Sequence, residues 1–185
     1  IQSLTKYING FGNATGGAII TSSKIMERIW ERYNGSGGMM APEVAWRIKE
    51  NMKTLLDRME KHNRTGYSIA TGFLKNHPLV KKVYYPGLPE HPNNDVARRL
   101  MAGFGGMISF ELNDPDGSKT KTFLNKLARD ERQRKGIITL TVSLGCMDTL
   151  ICCPALSTHY NLPREERLAQ GISDNLIRLS VGLEN

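Results

Sequence analysis

The 185-residue chain has only three cysteines, at positions 146, 152 and 153. An odd number crowded into eight residues builds no disulfide framework, so a reducing compartment, the cytoplasm, is expected. Long apolar runs are also lacking. The most apolar stretch, residues 136–156, is interrupted by Asp148, by hydroxyls and by a central glycine, which excludes a bilayer-spanning helix and suggests a buried strand plus a loop. The opening residues, IQSLTKYING, have neither the basic nor the apolar region of a signal peptide and do not start with methionine. They also hold the densest chemistry of the chain, so the sequence reads as a piece of a longer protein. No repeat and no low-complexity tract is present. What the chain has in surplus is positive charge: 25 Lys and Arg against 18 Asp and Glu give +7. That balance suits a phosphate or an anionic substrate. The basic run at 129–135 contains two acids and no aromatic, which marks a solvated loop rather than a nucleic-acid contact.

The 39% of apolar residues is enough for a core, and their spacing alternates between helical and extended periods. Two glycine clusters, at 10–17 and 35–38, read as loops, and a short apolar run at 18–21 between them reads as a strand. Ser22 and Ser23 offer a cap to a helix carrying Ile25, Met26, Ile29 and Trp30. Pro42 opens a long helical pattern through Ala45, Ile48, Met52, Leu55, Leu56 and Met59, which a second stretch continues to Asn76. Beyond it, strands at 80–85, 107–112, 137–143 and 176–181 trade places with helices at 95–101, 118–127 and 163–169. An α/β class follows, with a glycine-rich first part and a compact second part meeting near residues 57–65.

Lys6 in SLTKYING has hydroxyls at Ser3 and Thr5 and the glycine cluster close behind. Hydroxyls and backbone N–H groups hold phosphate, and a neighbouring lysine forms a Schiff base with an aldehyde cofactor. Local spacing alone suits a surface lysine at a turn better. Arg178, in LIRLSVG, is a guanidinium inside an apolar strand and needs a carboxylate, either a structural Asp or Glu, the commoner case, or that of a substrate. The three cysteines and His159 match no zinc spacing, so no metal is expected, and the cysteines read as small buried residues. His62, His77 and His91 lie in polar contexts and read as surface residues.

The segments SLTKYINGFGNATGG, HPLVKKVYYPGLPEHP, VSLGCMDTL, PALSTHY and ERLAQGISDNLIRLSVGLE together resemble the pyridoxal-phosphate enzymes of cysteine and methionine metabolism, the group of methionine γ-lyase, cystathionine γ-lyase and cystathionine γ-synthase. The resemblance runs over essentially the whole chain. It implies the type I fold of pyridoxal-phosphate-dependent transferases (aspartate aminotransferase-like), with residues 1–57 ending the large cofactor domain and residues 58–185 forming most of the small C-terminal domain. It also implies that Lys6 is the lysine joined to pyridoxal 5'-phosphate, that Ser3 and Thr5 touch the cofactor phosphate, that Arg178 binds the α-carboxylate of the amino acid, and that Ser143 lies beside that carboxylate and the lysine.

The activity implied is elimination at a carbon–sulfur bond of methionine or cystathionine, giving thiol, ammonia and a 2-oxo acid. The alternative is γ-replacement on a homoserine ester. Asp148 falls where many lyases and transsulfuration enzymes carry Glu, which leans away from the sulfhydrylases, and Cys146 and Met147 depart from the family pattern. The family's first half, which brings the phosphate loop, the stacking aromatic and the acid for the pyridine nitrogen, has no counterpart in this sequence, nor has the final helix. The 185 residues alone are therefore expected to be an inactive fragment that needs the N-terminal half of the same enzyme, in a homotetramer built as a dimer of dimers.

Overall fold

The computed structural model describes residues 1–132 and 136–184. It divides into two compact units, Ile1–Leu56 and Asp57–Asn185.

In the first unit a two-residue strand β1 (Gln2–Ser3) pairs antiparallel with β2 (Gly17–Ala18) and brackets a π-helical turn, Leu4–Ile8, and the first glycine loop. The apolar run at 18–21 contributes only Ala18 to β2, and Ile19 and Ile20 are exposed. Helix α1 (Ser23–Gly35) starts where the two serines place it, although the Ser22 side chain makes no capping bond. Helix α2 (Pro42–Met52) begins on its proline, whose missing N–H costs nothing in the first turn. The long periodic pattern breaks at Lys53 and Thr54, because the stripe is not buried as one face: Ile48 is 3% exposed but Leu56 is 83% exposed.

The second unit follows the alternation read from sequence. Helix α3 (Leu55–Ser68) runs into a π-helical segment, Ile69–Leu74, and strand β3 (Val80–Tyr84) follows. Helix α4 (Asn94–Leu100) leads to β4 (Met107–Leu112), and α5 (Ser118–Arg132) to β5 (Ile138–Leu140) and β6 (Thr149–Cys152). A short α6 (Arg164–Ala169) precedes β7 (Leu176–Ser180). The sheet order is β3-β4-β7-β6-β5, with β5 and β6 parallel and the other neighbours antiparallel.

Several expectations are corrected. The basic run is helical as far as Arg132, and its residues 133–135 lie outside the described residues. The strand expected at 137–143 keeps three half-buried residues, because β5 is a sheet edge; Ile137 and Val142 are exposed. The stretch 136–156 holds two strands rather than one, and the fully buried β6 is the second. Its cysteines are free and buried, as expected.

Cross-strand partners share a face of the sheet. Ile108, Leu179 and Ile151 stand in register on the core face, with Phe110 and Ile177 buried in the same cluster. Ser109, Arg178 and Cys152 stand in register on the opposite face.

His62 is not a surface residue: it is fully buried on the face of α3 that carries Arg58 and Gly66, and its Nδ1–H donates to the Val181 carbonyl at 3.0 Å. Burial pushes its pKa down, with Arg58 acting the same way, while the bond to Val181 and the charge of Glu184 oppose the shift. The folded protein therefore binds this proton less readily than the unfolded chain, whose value is roughly 6.5. The contribution is fully present above about pH 6.5 and is lost as pH falls toward the lower folded value. The unfolding midpoint should fall between about pH 7.5 and about pH 5.5, and H62Q, which keeps a donor for Val181, should flatten that slope. An identical slope in H62Q would exclude His62 as its source.

Candidate functional site

Ser3, Thr5 and Lys6 share one turn. Pairing of Gln2 with Ala18 and of Ser3 with Gly17 turns the chain back on itself, and the backbone N–H groups of Leu4 and Thr5 both donate to the Gly16 carbonyl, at 2.9 and 3.3 Å. Lys6 interrupts the helical turn with φ −87° and ψ −134°, while Asn9 N–H bonds the Leu4 carbonyl and Gly10 N–H the Lys6 carbonyl. Gly10 and Gly12 then take positive φ, 72° and 65°, which side chains disfavour, and the loop doubles back through them. Helix α2 fixes this loop: Asn51 Nδ2 donates to the side-chain oxygens of Asn9 (2.8 Å) and Asn13 (3.1 Å), and Arg47 donates to the Asn13 carbonyl (3.2 Å). Asn9 is fully buried.

Lys6 and Thr5 are half-buried and Ser3 is exposed. The Thr5 hydroxyl accepts the Gly16 N–H at 2.9 Å and donates to the Gly16 carbonyl over a longer 3.3 Å. Only its weaker bond must yield for the hydroxyl to donate elsewhere. The Ser3 side chain makes no capping bond. An amine with two hydroxyls in one turn is a donor set that fits a phosphorylated aldehyde: the amine takes the carbonyl carbon and the hydroxyls take the phosphate.

In the second unit Arg178 sits at the middle of β7, half-buried. No acid pairs with it among the described residues, which corrects the structural carboxylate expected as the commoner case. One terminal nitrogen, Nη2, instead donates to the carbonyls of Val142 and of Ser143, the latter at 3.2 Å. These dipoles orient the guanidinium without neutralising it, and no bond to Nε or Nη1 forms among the described residues, so the cation keeps N–H donors for a carboxylate. Residue parity explains the neighbours: Ser180, two positions on, lies on the same face and accepts the Gly145 N–H at 2.9 Å. The segment carrying Ser143 thus lies across the polar face of β7. Cys146, buried, donates from Sγ to the Asp148 carbonyl (3.4 Å), and burial pushes its thiol pKa up, so it stands there as a neutral thiol. Met147 and Asp148 are exposed.

Sequence reasoning missed Asn9, Asn51 and Ser180, which hold the two groups in place. Only Ser180 carried a usable signal, its even spacing from Arg178. Among the described residues no three His, Cys, Asp or Glu side chains gather as a metal site, and no helix is long and apolar enough to cross a membrane.

All 185 residues match the model of the Cys/Met metabolism PLP-dependent enzyme family, and the chain belongs to that family. It is 40% identical to cystathionine gamma-lyase of Bacillus subtilis, with all of this chain and 46% of the relative aligned. It is 42% identical to L-methionine gamma-lyase of Fusobacterium nucleatum subsp. polymorphum, over all of this chain and 45% of the relative. Among solved structures, cystathionine gamma synthase of Xanthomonas oryzae pv. oryzae, in complex with aminoacrylate and cysteine, superposes with a TM-score of 0.88 at 36% identity, over 99% of this chain and 45% of that one. The chain spans somewhat less than half the length of these relatives. The α/β fold of pyridoxal-phosphate enzymes expected from the sequence is the fold found, and the family cofactor is pyridoxal phosphate.

Proposed function

We propose that the protein is a pyridoxal-phosphate-dependent carbon–sulfur lyase that eliminates a thiol from the γ-carbon of methionine or cystathionine, leaving ammonia and a 2-oxo acid. The observation that carries this reading is the Lys6 turn, an amine with two hydroxyls on the residues just before it, in a chain 40% and 42% identical to two γ-lyases along its whole length. When bound, the cofactor supplies an aldehyde carbon for amines and a ring that takes up the electron pair left by a departing Cα proton.

The chain's own residues do the rest. Lys6 Nζ would hold the cofactor aldehyde and, as a free amine, would take the proton from Cα and deliver protons to the substrate. Ser3 and Thr5 hold the phosphate. Arg178 grips the α-carboxylate through its unbonded N–H groups, with Ser143 beside that carboxylate. Residues 1–57 end the large cofactor domain and residues 58–185 belong to the small one. The N-terminal half of the same enzyme completes the site, in a cytoplasmic homotetramer of two dimers. The three free, buried cysteines support the reducing compartment.

A second reading, γ-replacement, is drawn from the likeness to the synthase, which superposes as well as a γ-lyase does. One assay separates them. The full-length protein is incubated with methionine, cystathionine, cysteine and an O-acylated homoserine while thiol, ammonia and oxo acid are quantified. Oxo acid released without an acceptor is the expected result. Product formed only when a second thiol is supplied would overturn the lyase reading, and the 185 residues alone are expected to turn nothing over.

A further inference from the structure

The Glu184 carboxylate has no part in the reaction outlined above, yet both of its oxygens serve one residue. Oε1 accepts the Thr149 N–H, and Oε2 accepts the Thr149 hydroxyl at 2.7 Å. The same hydroxyl oxygen accepts the Gly182 N–H at 2.9 Å, and the Leu183 N–H donates to the Met147 carbonyl at 2.6 Å. The chain after β7 is therefore zipped to Met147 and to Thr149 at the start of β6, beyond the Leu150–Ser180 pair that ends the β6–β7 ladder. Gly182 permits this approach, because a Cβ there would overlap the Met147 carbonyl and the Glu184 carboxylate.

The other end of the same segment is held by Ser180, which takes the Gly145 N–H, and by Arg178, which takes the carbonyls of Val142 and Ser143. Between the two anchors stand Cys146, Met147 and Asp148. Carboxylate acceptors bind N–H and O–H donors about twice as strongly as neutral ones, so the two bonds to Glu184 are the strongest of those that tie the start of β6 to the chain after β7. Thr149 itself is buried, so its freed N–H would have no ready substitute partner.

We propose that Glu184 is a positioning residue: through Thr149 it sets where Cys146, Met147 and Asp148 stand against the part of the substrate beyond its γ-carbon, while Arg178 holds the α-carboxylate. The inference rests on the reading of Arg178 given under the proposed function. It makes the tail after β7 a determinant of side-chain preference rather than a passive end to the strand.

The test uses the full-length protein as wild type, E184Q, E184A and T149V. Hydrogen exchange of the amides at 145–150 should speed up by about tenfold or more in E184A and by less in E184Q, whose amide oxygen still accepts one bond, with β4 unchanged. In the loaded enzyme the ratio of kcat/KM for cystathionine to that for methionine, which differ only beyond the sulfur, should move by at least about threefold in E184A and T149V. The inhibition constant of glycine, which offers Arg178 a carboxylate and no side chain, should stay within about twofold. Unchanged exchange at 145–150 would overturn the clamp. Faster exchange with an unchanged ratio, or loss of protection throughout the second unit, would overturn the positioning role. A wild type inactive on both amino acids would remove the proposed function and the substrate half of this inference together, while the exchange data would still decide whether the clamp exists.

Discussion

Replacing Lys6 with alanine is expected to lower kcat/KM of the full-length enzyme by at least about a thousandfold, because one side chain is both the covalent handle and the proton carrier. General acid–base transfer alone contributes about a hundredfold to ten-thousandfold, and the two roles fail together when the amine goes. K6R should be nearly as poor: a guanidinium keeps the charge but stays protonated at working pH and cannot attack a carbonyl carbon. The fold should survive either change. The turn around Lys6 is held by backbone bonds, Asn9 N–H to the Leu4 carbonyl and Gly10 N–H to the Lys6 carbonyl, and by the Thr5 hydroxyl on Gly16, none of which uses the lysine side chain. The loss should therefore appear in steady-state kinetics with the thermal midpoint close to wild type, and small exogenous amines should restore part of the turnover of K6A. Retention of more than about a tenth of wild-type activity in K6A would contradict the assignment.

Replacing Arg178 with lysine is expected to cost about a hundredfold in kcat/KM, carried mainly by KM, and alanine should cost more. Lysine keeps the charge but loses the planar fork. Its ammonium also cannot keep the Val142 and Ser143 carbonyls while presenting two further donors to a carboxylate. Amino-acid amides, which lack the carboxylate, should be poor for wild type and no poorer for R178A, so the two enzymes converge on them. A KM raised by less than about threefold in R178K would remove Arg178 from the substrate site.

The second unit was largely legible because short apolar strand runs trade places with helical patterns along it. Leu176–Ser180 places Ile177 and Leu179 on the core face and Arg178 and Ser180 on the other, with Leu176 an apolar exception at the start of the second set. Two kinds of feature escaped. Burial by polar residues has no hydrophobic signature: α3 turns inward through Arg58, His62 and Gly66, while the apolar Leu56 on the same helix faces out. Polar ties across long separations are equally silent, since neither Glu184 nor Thr149 shows a local sign of the other 35 residues away. The Lys6 turn was chemically suggestive but locally ambiguous, and the family resemblance across the whole chain is what made it a candidate site. The acid expected to neutralise Arg178 was a sound expectation for a buried guanidinium. It failed because two carbonyls and partial exposure lower the cost of leaving the charge unpaired.

The most direct test of this account is borohydride reduction of the full-length protein loaded with pyridoxal phosphate, followed by digestion and mass spectrometry of the lysine-containing peptides. The account predicts one phosphopyridoxyl group per chain, on Lys6 and on no other lysine, with none added when K6A is treated in the same way. A bare Lys6 in a reduced, fully loaded protein, with the label elsewhere or nowhere, would contradict it.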